Sequence, residues 1–159
     1  LGEDDTKELF EKYHSRVPFV KQLMGLASKS ANDNGQVRTI LGRICHFDLW
    51  EPTKWGVHKA LPRDEAMRKY GSNLKRAFIY KALNKLIQGS AADQTKKAMI
   101  EVYKAGITPH IQVHDELNCS CKDEKDIKMI KEIMENCIEL EVPSKVDPKV
   151  GASWGTIKN

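Results

Sequence analysis

No stretch of this chain approaches the roughly 20 consecutive apolar residues that a membrane-spanning helix requires, so no membrane partner is expected. A basic, apolar leader is missing too: the sequence opens Leu1-Gly2-Glu3-Asp4-Asp5 without an initiator Met, which reads as the start of a piece cut from something longer. Aromatics are sparse at 7%, and neither an internal repeat nor a low-complexity tract occurs. The four cysteines, Cys45, Cys119, Cys121 and Cys137, contain no C-x-x-C pair. A zinc site assembled from them and His114 would match neither the spacing nor the count of a closed set, so they read as reduced core thiols.

What is present describes a globular domain. At 159 residues the chain is long enough to bury roughly 70% of its unfolded surface without a disulfide staple. Apolar residues at 40% and charged residues at 30% exclude a disordered chain. The net charge of +4 and pI near 8.8 are compatible with a polyanionic partner.

The apolar spacing predicts a first helix capped by Asp5 or Thr6, with Leu9, Phe10 and Tyr13 on one face. Pro18 suits the first turn of a second helix, with Phe19, Val20, Leu23, Met24 and Ala27 inward and a stop before Gly35. Val37-Arg38-Thr39 and Ile44 to Phe47 read as two short strands around Leu41-Gly42-Arg43. From about 48 to 72 the composition turns to Trp, Pro, Gly and charge without a period, which predicts an irregular or partly helical insertion. Asn73 to Leu86 then reads as a helix, and Ser90 as the cap of another that runs to Gly106. Ile107 to Cys121 alternates as a hairpin, with Ile111 and Val113 on one face and His110, Gln112 and His114 on the other. A helix over Glu124 to Glu139 and a short strand over Ser144 to Val150 close the chain. The layout is α+β, an antiparallel sheet backed by helices.

The chemistry concentrates at Gln112-Val113-His114-Asp115-Glu116. Adjacent carboxylates at a tight bend repel one another unless a cation or a basic partner neutralises them. Taken alone, a solvated turn is the more ordinary reading, since Asp and Glu are common turn residues. Gln88-Gly89-Ser90-Ala91-Ala92-Asp93 taken alone is likewise a helix junction with small residues for close packing. Lys75, Arg76, Lys81 and Lys85 suit phosphates and surface solubility equally well, and none of them receives a role.

Together and in this order, however, these pieces form a pattern. Leu41-Gly42-Arg43, the run from Asn84 through Gln88 to Asp93, the Val113-His114-Asp115-Glu116 bend, Val142-Pro143 and Gly151 to Gly155 resemble the C-terminal portion of family A DNA polymerases. The resemblance covers nearly the whole chain, and its most specific element is the Val-His-Asp-Glu bend, similar to the family's motif C. It implies a single-domain segment, 1–159, from the palm and fingers region, in which an antiparallel palm sheet carries a metal-binding hairpin. It implies DNA-templated DNA synthesis, with a DNA primer-template, deoxynucleoside triphosphates and the N-terminal remainder of the polymerase as partners. Asp115 and Glu116 would be catalytic and hold metal, Asp115 as ligand and Glu116 as the supporting acid. His114 would touch the primer terminus, and Asn84 and Gln88 the primer-template. The cofactor would be Mg2+ in a two-metal site.

Those assignments agree with elementary chemistry. Nucleotide addition uses two hard cations roughly 3.5 to 4 Å apart, one at the attacking hydroxyl and one at the departing pyrophosphate. Asn84 and Gln88 are four apart and share a helical face, and the minor groove offers an acceptor at every base pair, so amides there check pair geometry without reading sequence. The family's motif A, with its metal-bridging aspartate, and motif B, with its nucleotide-holding helix, would lie upstream of Leu1. The Tyr70-Gly71 pair has the look of the end of motif B but lacks the preceding Arg and Lys at helical spacing. The expectation is therefore a fragment of a polymerase, phage-type by its insertion, or one partner of a split one, inactive alone and located in the cytoplasm, that of the host for a virus. A non-catalytic nucleic-acid-binding module of the same fold is the alternative, and a metal-dependent hydrolase would need more clustered acids than the chain has.

Overall fold

A computed structural model of the chain describes residues 2–157, with the exception of the side chain of Glu3. It is a mixed helical and antiparallel structure that resolves into two compact units, Leu1–Gly89 and Ser90–Asn159.

In the first unit, helix α1 (Glu3–Arg16) and helix α2 (Pro18–Asn34) are separated by the single residue Val17. The proline ring disfavours helical geometry in the residue before it, so α1 ends there, while Pro18 itself sits at ease in the first turn of α2. Gly35 ends α2 in the left-handed region, φ 70°, where a side chain would be strained and would also meet the Arg76 guanidinium at 2.9 Å. The predicted α1 cap is displaced: Gly2 is the N-cap, and Asp5 and Thr6 serve it from the first turn, Asp5 accepting from the Gly2 amide and the Thr6 hydroxyl donating to the Gly2 carbonyl. Phe19 and Met24, expected inward, are exposed within this chain, as are Leu9, Phe10 and Tyr13 on the shared face of α1.

Strands β1 (Gln36–Arg38) and β2 (Ile44–His46) pair antiparallel as the alternation predicts. The turn between them is closed by the Thr39 amide donating to the Arg43 carbonyl at 2.9 Å and the Gly42 amide donating to the Thr39 carbonyl at 2.8 Å. The core beneath is small: Ala27, Ala31, Val37, Phe47 and Ala82, flanked by Cys45, Ile79, Leu83 and Leu86. Two alanines one turn apart on α2 leave room for Phe47, the one large ring in the cluster.

The segment expected to be an irregular insertion is ordered. Strands β3 (Leu49–Pro52), β4 (Leu61–Pro62) and β5 (Leu74–Arg76) form an antiparallel sheet in the order β4-β3-β5, with helix α3 (Arg63–Tyr70) connecting β4 to β5. Strands this short carry too few residues to show a period. The helix predicted from Asn73 is corrected by the same finding: residues 74–76 are strand, Phe78 has φ 61°, and a 3₁₀ turn (Ile79–Lys81) precedes helix α4 (Ala82–Lys104). Arg76 accounts for this override of local propensity. Its guanidinium donates to the Asn32 and Phe47 carbonyls, each at 2.9 Å, and lies 4.7 Å from the Trp50 ring centroid, contacts that a helical residue 76 would forgo.

Helix α4 also runs unbroken through Gly89-Ser90, where two helices were expected. The glycine is there for packing: a Cβ on Gly89 would lie 2.7 Å from Thr39 Cγ2, and Thr39 is buried. Gly89→Ala gains about 1 kcal/mol of helix propensity but forces an overlap costing about 1–3 kcal/mol, so it is expected to lower the melting temperature. Adding Thr39→Ser, which removes that methyl, is expected to recover the loss. A melting temperature raised by Gly89→Ala alone would refute the packing account.

In the second unit, β6 (Pro109–Val113) and β7 (Glu116–Cys119) form a hairpin, irregular between Pro109 and Ile111. Helix α5 (Glu124–Asn136) is capped by Asp123, whose carboxylate accepts from the Lys125 and Asp126 amides. It ends three residues earlier than the spacing predicts. The strand expected over Ser144 to Val150 is absent: the Val146 amide donates to the Glu135 carboxylate at 2.9 Å and Ser144 Oγ accepts from Gln94 Nε2 at 3.0 Å, so side chains rather than a partner strand anchor this segment. The cysteines are all free, but Cys121 is exposed and the other three only half-buried, which corrects their reading as core residues. Burial pushes the thiols of Cys119, Cys121 and Cys137 above their ordinary range, which makes them poor nucleophiles at neutral pH. Among the described residues no helix is long and apolar enough to cross a membrane.

Candidate functional site

The β6-β7 register determines what the bend presents. Val113 pairs with Glu116 as the last cross-strand pair, which leaves His114 and Asp115 as a two-residue turn. His114 occupies the left-handed region at φ 52°, a conformation that costs a non-glycine residue about 1 kcal/mol or more. Gln112 offsets part of this by donating from Nε2 to the His114 carbonyl at 3.0 Å. The strained backbone thereby sets Asp115 at the tip and Glu116 beside it, both exposed. Neither carboxylate makes an ion pair or a side-chain hydrogen bond among the described residues.

Such a pair fits a hard divalent cation. Magnesium takes carboxylate oxygens, keeps several waters and is held by one or two protein carboxylates plus substrate phosphates. Among the described residues no group of three or more His, Cys, Asp or Glu side chains converges. Asp115 and Glu116 could therefore supply only part of such a coordination sphere, which waters, phosphates or another carboxylate would complete. The bend is convex. The depression of about 400 Å³ lined by Gly106, Thr108, His110, Ser120, Lys122 and Asp126 lies at the other end of the hairpin.

Asn84 and Gln88 lie in the first turns of α4, four residues apart on one exposed face, as expected. What the sequence did not disclose is the anchor beneath Gln88. Arg43 Nη2 donates to the Gly89 carbonyl at 2.7 Å, and Gly89 packs on Thr39, so the β1-β2 turn grips the helix next to this amide. An arginine after Leu41-Gly42 in a turn was the only available signal. Each set is gathered within its own unit: Asn84 with Gln88 on α4, and His114, Asp115 and Glu116 on the hairpin.

The basic residues considered for phosphates are engaged locally. Lys75 pairs with Glu51 across β5 and β3 at 3.4 Å, and the Lys85 ammonium lies 5.0 Å from the centroid of Phe47. Lys81 sits over Phe78 and Tyr80, and Arg76 is bound to backbone carbonyls.

Comparison with known proteins identifies the family. The model of DNA polymerase family A matches residues 1–156, and the chain belongs to that family. A DNA-directed DNA polymerase of Pseudomonas phage M6 is 39% identical over 147 residues, 92% of this chain and 19% of the relative. DNA polymerase I of Caldicellulosiruptor bescii is 34% identical over 165 residues, 97% of this chain and 17% of the relative. The chain thus spans less than a fifth of the length of these relatives. Among solved structures, the POL domain of Pol1 from M. smegmatis, in complex with DNA primer-template and dNTP, superposes with a TM-score of 0.74 at 28% identity, covering 99% of this chain and 26% of that one.

Proposed function

We propose that this chain is the segment of a DNA-templated DNA polymerase that carries one carboxylate arm of its metal site and a minor-groove-facing helix. The observation that carries the reading is the two-residue bend. A strained His114 backbone holds Asp115 and Glu116 exposed, adjacent and clear of basic partners among the described residues, in a chain matched to the family over 1–156.

In this reading Asp115 is a metal ligand and Glu116 supports it, completed by an upstream aspartate and by water. Mg2+ held there would supply charge stabilisation and would lower the pKa of the primer hydroxyl. The chain's own groups do the rest. His114 contacts the primer terminus from the tip of the hairpin. Asn84 and Gln88 offer amides that both donate and accept, and so test the shape of the terminal base pairs. The Arg43 and Thr39 contacts keep Gln88 in register with that face. Catalysis is mostly positioning and electrostatics, and no side chain acts as nucleophile. Deoxynucleoside triphosphates and primer-template are the substrates, the remainder of the polymerase the partner.

The test is primer extension with a manganese titration, performed on the whole protein that carries this chain and on the 159-residue chain alone. Metal-dependent extension by the former and none by the latter is the expected result. Gln88→Ala is expected to lower extension about tenfold, the loss of one or two hydrogen bonds at about 1 kcal/mol each, with an unchanged manganese midpoint. DNA binding by the whole protein without extension under any metal condition would favour a binding module of the same fold.

A further inference from the structure

The connection between β3 and β4, residues 53–60, carries the most exposed large apolar side chains among the described residues. Trp55 is 97% exposed and Val57 fully so, although tryptophan is among the most buried residue types on average. The same unit covers its other tryptophan: Trp50 is half-buried, with the Arg63 and Arg76 guanidiniums 5.4 and 4.7 Å from its centroid. Nor is the connection loosely tethered. His58 Nε2 donates to the Lys54 carbonyl at 3.2 Å, and Tyr70 donates to the Lys59 carbonyl at 3.1 Å. The His58 and Tyr70 rings meet edge to face with centroids 5.8 Å apart. Gly56, at φ +147°, makes the turn at the tip, where a Cβ would lie 3.0 Å from His58 Nε2. The backbone is fastened on both sides of Trp55 while the indole is left outside.

An indole so held is a stacking platform, and its neighbours indicate for what. Between Thr53 and Pro62 the ionisable side chains are Lys54, His58 and Lys59, with no carboxylate in the stretch. Neither lysine makes an ion pair among the described residues. Positive charge on both sides of an exposed ring complements a polyanion with accessible flat faces. In a duplex those faces are covered by stacking, whereas in a single strand they are open. We propose that the 53–60 loop binds unpaired DNA, Trp55 stacking on a base while Lys54 and Lys59 meet the flanking phosphates. The proposal rests on the reading of this protein as one that acts on DNA.

The experiment measures fluorescence anisotropy of a labelled oligo(dT) strand and of a labelled blunt duplex, across a range of salt, with the whole protein that carries the chain. Trp55→Ala is expected to weaken oligo(dT) binding by about 5- to 150-fold, the range for losing one base–aromatic stack, with little effect on the duplex. Trp55→Phe is expected to restore most of the affinity, because a phenyl ring still stacks. Lys54→Ala combined with Lys59→Ala is expected to reduce the log–log salt slope by about 1.4, at ~0.7 per phosphate contact on a single strand. Unchanged oligo(dT) affinity in Trp55→Ala, or equal weakening on both DNAs, overturns the loop assignment whatever the extension assay shows. Loss of binding to phosphatidylserine vesicles in Trp55→Ala, with oligo(dT) affinity unaltered, also overturns it and assigns the loop to a membrane surface. Absence of extension by the unmodified protein refutes the polymerase reading separately, since the loop is scored by binding alone.

Discussion

On the proposed role of Asp115 as metal ligand, Asp115→Ala in the whole protein is expected to reduce primer extension by roughly 10³-fold or more, because positioning a metal at developing charge contributes several kcal/mol and each 1.4 kcal/mol is a factor of ten. The structure makes the interpretation clean. Asp115 is exposed at the tip of a two-residue bend and makes no hydrogen bond or ion pair among the described residues, so removing its carboxylate breaks no internal contact. Stability is expected to change by less than about 0.5 kcal/mol, the usual range for such a surface position. Primer-template affinity is expected to hold or improve slightly, since one negative charge near a polyanion is removed. Asp115→Asn keeps the shape and loses the charge, and should fall with the alanine variant. Glu116→Ala, which removes the acid proposed only to support Asp115, is expected to cost less. Extension at near-normal rate in Asp115→Ala would defeat the assignment, and loss of extension together with a lowered melting temperature would mark a folding defect.

Arg76→Ala is expected to be the most damaging single change to the first unit. One guanidinium donates to Asn32 at the end of α2 and to Phe47 just after β2, while lying over Trp50 of β3. Hydrogen bonds from a charged donor contribute about 1.5–3 kcal/mol each where partly buried, and the ring contact adds about 0.5–1 kcal/mol. Two carbonyls would also lose their donor. A loss of about 4 kcal/mol is expected, or a fall in melting temperature of roughly 8–16 °C for a chain of this length. Arg76→Lys should recover less than half, because a single ammonium lacks the planar fork that reaches both carbonyls. A melting temperature within about 1 °C of the parent for Arg76→Ala would show that neighbouring groups take over these roles.

How legible the molecule was depended on the range of the interactions involved. The α2 boundaries were readable because Pro18 and Gly35 act through their own backbone restrictions, and the β6-β7 hairpin because its alternation is local. The three-stranded sheet was invisible because its strands are two to four residues long and find one another only through cross-strand partners such as Trp50 with Leu61 and Arg76. Gly89 misled for a related reason. In isolation a glycine reads as a break, yet here it is the absence of a Cβ that lets Thr39 approach a continuous helix.

By itself the sequence determined that this is an α+β chain of DNA polymerase family A with two acids at one bend and two amides on one helical face, because motif order and short-range period are properties of neighbouring residues. Only the tertiary structure decided that Arg76 is a structural clamp, that residues 49–76 form a three-stranded sheet with a connecting helix, and that Trp55 is held out on a basic loop. Each of those depends on contacts between residues distant in the chain, or on the lack of such a contact, and no local pattern encodes them.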